Sequence, residues 1–353
     1  MKIQVLIVDD SEVYRLFLRE ALSKEEDIEI VSLASNGRLA LPRVNHYKPD
    51  IVLLDYEMPE MDGLEAIPEI KRLSTLSRII MFSAHTTKGA RLTLQALQLG
   101  ADDFITKPAG SPGVSVADEV RVKLLERIRA FAANRERKTQ ATIAAAPPPS
   151  RGAAAAAKAA VARRFRFCLI GISTGGPPAL RRLFKLIPGS IRGSILVVQH
   201  MPPLFTAQLA ESLNEDSQLK IIEAKGGETV QPGTVYIAPG GKQMRIAEKE
   251  ARDAAVVVED SDPAELCKPS VNILFNSAAE FCAEQSLAVI MTGMGEDGYL
   301  GMRNLSQKGA YLMAQSPEDC VIFGMPAKPV RDGIVQEVHT VEGLAERIAE
   351  YLT

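Results

Sequence analysis

The stretch DIVLLDYEMPEMDG, residues 50–63, runs from an apolar segment into an acidic turn that ends in glycine. Consecutive apolar residues closed by Asp55 describe a strand buried on both faces that ends in a carboxylate. The pattern repeats on either side. IQVLIVDD (3–10) and IEIVSLA (28–34) precede it, and RIIMFSA (78–84) and DDFITKP (102–108) follow. Helix-like stretches separate them: VYRLFLREAL, GRLALPRV, GLEAIPEIKRL and ARLTLQALQLG. Such alternation predicts a doubly wound open sheet over residues 1–125, closed by a charged helix from about Glu119 to Lys138.

In a parallel sheet the carboxyl ends of the strands share one edge, where ligands bind. Asp9 and Asp10 end the first strand, Asp55 the third, Ser83 the fourth and Lys107 the fifth. Three carboxylates brought together repel, and a hard cation such as Mg²⁺ supplies the missing counter-charge. Asp55 is the natural phosphoryl acceptor, with Lys107 and the Ser83 hydroxyl holding phosphoryl oxygens. Acidic residues also cap strands and helices. That explains one Asp, but not this set at the ends of successive strands.

These residues, standing as VDDS, LLDYEMPEMDG, MFSA and FITKP, make the first half resemble the receiver domain of bacterial response regulators. The resemblance implies a flavodoxin-like (β/α)5 fold and phosphotransfer from a histidine kinase to Asp55. It implies Mg²⁺ held by Asp9, Asp10 and Asp55, an aromatic switch residue at Phe104, and a cis peptide at Lys107–Pro108.

Beyond residue 138 the chain reads ATIAAAPPPSRGAAAAAKAAVARR. Ala, Pro and basic residues dominate, so residues 139–164 cannot bury a core and read as a flexible linker. From FRFCLIGI onward a second βα pattern begins, with later runs SILVVQH, LKIIEA, TVYIAPG, AAVVVED, SLAVIMTG and AYLMAQ. Residues 165–353 read as a mainly parallel, Rossmann-like α/β domain. Turns such as QPGT and PGGK leave room for an antiparallel portion around residues 220–260.

In this half Ser173 lies in GISTGG, directly after an apolar strand. GISTG fits G-x-S-x-G, but Gly-rich turns also bind phosphates, so the match alone leaves both readings open. The GISTGG turn itself carries neither GxGxxG nor a P-loop lysine. A serine nucleophile needs a base. His200 ends ILVVQH and falls on the same sheet edge, whereas His339 has no such placement. The base needs a carboxylate in turn. Asp297, in MTGMGEDG after another strand, is favoured over its competitors Glu296 and Asp262. The order Ser, His, Asp differs from the Ser, Asp, His of α/β-hydrolases. The Gly-rich turns at Ser173 and Met294 can aim backbone N–H groups at an oxyanion.

GISTGGPPAL, VVQHMPPLFT, YIAPG, PSVNILF, MTGMGEDG and FGMPAKPV together resemble the catalytic domain of the protein-glutamate methylesterases of bacterial chemotaxis. The resemblance implies Ser173 as nucleophile, His200 as base, Asp297 as its partner, an oxyanion contact from the Met294 N–H and a supporting role for Thr174. It implies hydrolysis of glutamate γ-methyl esters on chemoreceptors, with deamidation of some glutamines, and no cofactor for this domain. Where the family commonly has His-Arg before Pro-Ser-Val, this chain has Cys267-Lys268, and Asn272 stands where Asp is frequent. A tethered receiver that covers the esterase edge until Asp55 is phosphorylated is the expected control. The rivals are a response regulator with a non-catalytic binding module, and a small-molecule esterase.

Composition agrees with a folded protein of two domains: 353 residues, 46% hydrophobic, 24% charged. A net charge of −3 offers no global field for nucleic acid, and no basic recognition helix stands out in the second half. Four scattered cysteines read as buried thiols in a reducing compartment. The start, MKIQVLIVDD, is not a signal peptide, and no apolar run approaches the ~18 residues needed to span a bilayer. A cytoplasmic monomer is expected.

Overall fold

The computed structural model describes residues 2–84, 86–107, 114–141, 164–249 and 253–353. The chain divides into two compact units, Met1–Ile143 and Ala144–Thr353.

Within the first unit, the elements run β1 (Ile3–Val8), α1 (Glu12–Leu22), β2 (Ile28–Ala34), α2 (Gly37–Tyr47), β3 (Ile51–Asp55), α3 (Gly63–Leu73), β4 (Arg78–Ser83), α4 (Thr87–Leu99), β5 (Asp103–Thr106) and α5 (Val114–Ala141). The sheet order is β2-β1-β3-β4-β5, parallel throughout. Every residue of β3 is buried, as its apolar run requires. Asp62 starts α3 with a capping box to Glu65, which ends the acidic turn after Asp55 at a fixed point. Helix α1 packs with α5, and α3 packs with α2 and with α4. Helix α5 begins before the expected Glu119, directly after the breaker pair Pro112-Gly113 in the sequence. Residues 142–163, most of the expected linker, lie outside the described residues, as does Pro108 of the expected cis peptide. The cis bond among the described residues is Lys268–Pro269.

The second unit holds β6 (Phe167–Ile172), α6 (Gly176–Leu186), β7 (Ser194–Gln199), α7 (Phe205–Asp216), β8 (Lys220–Glu223), β9 (Thr234–Ile237), β10 (Lys242–Glu248), β11 (Ala254–Asp260), α8 (Val271–Phe281), β12 (Ser286–Ile290), α9 (Tyr299–Gln307), β13 (Tyr311–Gln315), α10 (Ala327–Arg331), β14 (Glu337–His339) and α11 (Val341–Leu352). Seven parallel strands lie in the order β14-β13-β12-β6-β7-β9-β8. The antiparallel portion is narrower than residues 220–260. Among the described strands β10 and β11 pair that way, with an isolated antiparallel bridge from Thr229 to Ala255, while β8 and β9 join the large sheet.

From β6 the chain builds outward on one side through β7, then returns to the other side with β12. The sheet therefore reverses direction between β6 and β12. Such a switch point opens a crevice at the carboxyl ends of the strands, where α/β sheets bind ligands. Ser173 follows β6, His200 follows β7, and the 291–298 turn follows β12.

Candidate active site and phosphoacceptor pocket

In the first unit the expected acidic pocket forms. Asp9 and Asp55 are buried and Asp10 is exposed. Lys107 Nζ lies 2.8 Å from Asp55 Oδ1 and 3.0 Å from Asp9 Oδ2. Two rings that sequence reasoning missed flank this lysine: its Nζ is 4.6 Å from the Tyr14 ring centre and 5.5 Å from that of Phe82. Ser83 ends β4, but its hydroxyl is turned toward α4, 2.6 Å from Thr93 Oγ1. Phe104 is buried on β5.

Burial pushes the Asp55 carboxyl up, the Asp9 charge adds to this, and Lys107 only partly offsets it, leaving a pKa of about 6. Asp9 is raised for the same first reason. One ammonium thus serves two buried carboxylates. Asp9 Oδ2 is buried with the Lys107 ammonium, 3.0 Å away, as its charged neighbour. Ligand oxygens of Asp9, Asp10 and Asp55 all lie within 4.8 Å of one another. This donor set fits a small hard cation such as Mg²⁺.

A pH effect follows. Asp55 holds its proton more tightly folded than unfolded. Its contribution to stability is complete below the ordinary carboxylate value of 3.8 and is lost as pH rises through about 6. Asp55→Asn, which imitates the protonated form, should stabilise this unit at pH 7 in Mg²⁺-free buffer by roughly 1–3 kcal/mol. The gain should shrink toward pH 5. Scanning calorimetry at the two pH values checks this, and a gain independent of pH would contradict it.

In the second unit, the GISTGG turn carries Ser173 off the end of β6. Gly175 takes φ +78° there, a left-handed conformation that glycine adopts without strain. Three bonds fix the turn: Ser173 N–H donates to Thr292 O (2.9 Å), Gly176 N–H to Ser173 O (2.8 Å), and Gln199 Nε2 to Ser173 O (3.0 Å). The same Gln199 amide reaches His200 O at 3.2 Å. One buried side chain therefore holds the backbones of Ser173 and His200 together. A Cβ on Gly293 would stand 2.6 Å from Ser173 Cβ, so only glycine lets the turn after β12 approach the serine.

His200 Nε2 lies 2.8 Å from Asp297 Oδ2. Asp297 also accepts from Val271 N–H (2.7 Å), Asn272 N–H (3.0 Å), Gly298 N–H (2.9 Å) and the Ser270 hydroxyl (3.0 Å). Ser270 occupies the N-cap of α8 but makes no capping bond of its own. Asp297 caps that helix from outside, and the helix N-terminus favours its charge. Burial would raise the Asp297 carboxyl, but His200 and these donors outweigh it and hold it below the ordinary range. The competitors are engaged elsewhere. Glu296 pairs with Lys328 at 3.0 Å, and Asp262 caps Ala264 N–H. His339 pairs with Glu337 at the end of β14.

Because Asp297 takes the Nε2 side of the ring, Nδ1 is the nitrogen left to accept a proton. No hydrogen bond joins Ser173 Oγ to His200 in this structure. Met294 N–H makes no backbone hydrogen bond, while its neighbour Gly293 is tied to Ile322, Gly324 and Met325. Thr174 is buried, its carbonyl accepting from Thr292 Oγ1 at 3.0 Å. Burial, then the charges of Asp297 and Glu265, push the nearby Cys267 thiol up to about 12. It remains a thiol at neutral pH and does not compete as nucleophile.

Sequence reasoning missed Gln199, Ser270 and the α8 N-terminus. PSVNILF carries a helix-start signal, with Ser before an apolar periodic run. Nothing local shows that the start is shared with a carboxylate 26 residues ahead of Val271.

A family model described as CheB methylesterase matches residues 168–348, and one described as response regulator receiver domain matches residues 5–114. The chain belongs to the CheB methylesterase family. Among curated CheB-type relatives, the protein-glutamate methylesterase/protein-glutamine glutaminase of Desulfotalea psychrophila is 38% identical, over 98% of this chain and 97% of its own. The enzyme of that name from Bacillus subtilis is also 38% identical, over 98% and 97%. The crystal structure of the Thermotoga maritima CheB methylesterase catalytic domain is 36% identical, with a TM-score of 0.51. It covers 53% of this chain and 98% of that one. The CheB resemblance thus spans both units, each an α/β fold of the kind expected.

Proposed function

We propose that this chain hydrolyses glutamate γ-methyl esters, and deamidates certain glutamines, on chemoreceptors, with its rate set by phosphorylation of Asp55. It is a carboxylic ester hydrolase of the methylesterase/glutaminase type. The observation that carries the proposed chemistry is the His200–Asp297 pair at the sheet's switch point, braced to Ser173 through Gln199.

Ser173 Oγ attacks the γ-carbonyl carbon and gives its proton to His200 Nδ1. Asp297 stabilises the imidazolium without taking the proton itself. The Met294 N–H meets the oxyanion. Collapse of the tetrahedral intermediate expels methanol, which leaves with the His200 proton, or ammonia when glutamine is the substrate. Water, activated by the same imidazole, then releases glutamate from the acyl-enzyme. Thr174 supports the turn that carries the nucleophile.

On the receiver side, Asp55 accepts phosphoryl from a chemotaxis-type histidine kinase. Asp9, Asp10 and Asp55 would hold Mg²⁺, whose charge offsets that of the phosphoryl group. Lys107 contacts a phosphoryl oxygen. Ser83 joins it by turning away from Thr93, and Phe104 is the aromatic whose packing reports the change. Units 1–125 and 165–353 act as regulator and enzyme, with 139–164 as tether. No described helix is long and apolar enough to cross a membrane, and a cytoplasmic location suits both proposed partners.

The test is methanol release from methylated receptor fragments, with and without a small-molecule phosphodonor and Mg²⁺. The wild type should be several-fold faster with the donor, and Asp55→Asn should not respond. Equal rates in all arms would end the regulatory part of the proposal. Release from simple esters but not from receptor fragments would end the substrate part.

A further inference from the structure

We propose that His200, Cys267 and Asp297 form an inhibitory zinc site. The three side chains each offer one ligand atom, and these atoms lie within 4.8 Å of one another. Nitrogen, sulfur and carboxylate oxygen are the three donor types that Zn²⁺ accepts, at about 2.0–2.3 Å in a tetrahedral arrangement. Ligand atoms around such an ion stand roughly 3.3–3.7 Å apart. The ligand atoms here lie up to 4.8 Å apart, so binding would draw them in by up to about an ångström, with the fourth position left to water.

Two features favour the ion. Coordination releases the Cys267 thiol proton to solvent, and the resulting thiolate and the Asp297 carboxylate balance the dication, so the half-buried site ends neutral. The second shell is already built. Ser270 Oγ and the N–H groups of Val271, Asn272 and Gly298 fix the Asp297 carboxylate. Cys267 is held through its carbonyl, which accepts from Gln243 Nε2 at 2.8 Å. It is also the one cysteine of the four that is not buried, so a solvated ion has access to it.

Inhibition follows whichever ring nitrogen binds. Zinc at Nδ1 takes the lone pair that would accept the serine proton. Zinc at Nε2 replaces the proton shared with Asp297 and leaves a proton on Nδ1, again removing the base. The inference therefore adds a regulatory ligand to the proposed esterase site, and its inhibitory half rests on that reading.

Binding is measured first, by competition of the full-length protein with a chromophoric chelator for ZnCl2, with excess Mg²⁺ present to occupy the acidic pocket. The wild type should hold one zinc per chain with a Kd of about 1 µM or tighter. Cys267→Ser, which keeps side-chain size, and Cys267→Ala should each bind roughly 10- to 100-fold more weakly. Circular dichroism shows that the variants are folded. Inhibition is then read as methanol release in zinc relative to the same sample after EDTA, and the zinc concentration for half-inhibition should rise by the same factor. Undiminished binding by both Cys267 variants would overturn the site, as would no uptake by the wild type. The binding readouts need no substrate. A failure of the esterase reading would show instead as no methanol release from any EDTA-treated sample.

Discussion

Ser173→Ala should lower the rate of methanol release on the order of 10⁴- to 10⁶-fold while leaving the protein folded. The two halves of that result have separate causes. On the proposed mechanism the base and the oxyanion donor serve the Ser173 oxygen, and alanine leaves them no nucleophile to act on. Yet the hydroxyl carries none of the local structure. The bonds that hold the turn run through the Ser173 backbone, to Thr292, Gly176 and Gln199. Alanine keeps them all, so stability should stay within about 0.5 kcal/mol of wild type. Methanol assays and thermal unfolding on one preparation check both. Retained turnover would favour a non-catalytic output domain. Lost activity with lost folding would show that the turn has been misunderstood.

Asp297→Asn should behave differently, because activity and stability should fall together. Activity should drop on the order of 10⁴-fold, since the amide cannot balance an imidazolium or fix its tautomer. Both oxygens of Asp297 are used. Oδ2 receives His200 and Val271, while Oδ1 receives Ser270, Asn272 and Gly298. An asparagine must point its NH₂ group at one of these donor sets, leaving buried donors facing donors, at a cost of about 2–4 kcal/mol. The cost should also depend on acid. The Asp297 carboxyl is depressed when folded, so its contribution is present above the ordinary value of 3.8 and is lost as pH falls through the lower folded value. Denaturant unfolding at pH 7 should separate wild type from variant, and the gap should narrow below pH 4. A variant as stable as wild type at pH 7 would mean that the cap contributes little.

Much of this was legible in the sequence because strand ends in a parallel sheet share an edge. Apolar runs fully buried on both faces, such as ILVV before Gln199, marked the strands without ambiguity. Each candidate side chain follows such a run: Asp9, Asp55, Ser83, Lys107, Ser173, His200 and Asp297. Details that depend on side-chain direction were not legible. Ser83 stands where expected, yet its hydroxyl is bonded toward Thr93. Lys107 was read as a phosphoryl contact, while its enclosure by Tyr14 and Phe82 needs helix α1 folded against the sheet. The strands at 220–237 looked able to turn back, because turn residues separate them. Their pairing is parallel instead, made possible by the ten-residue crossover between Glu223 and Thr234. The sequence favoured Asp297 over its neighbour Glu296, but the separate partners of the two acids, His200 and Lys328, were not legible in it. That depends on which one the turn points inward.

The histidine and its carboxylate partner are 97 positions apart in the chain, with the return of the sheet between them. During synthesis the serine and the imidazole leave the ribosome well before the acid that orients them. A nascent chain that has just completed α8 holds Ser173 and His200 but not Asp297, so that helix still lacks its external cap. Competence therefore arrives late, with the strand that completes the far side of the crevice. Because the receiver domain precedes all of this, the first unit is complete before Asp297 has been added to the second.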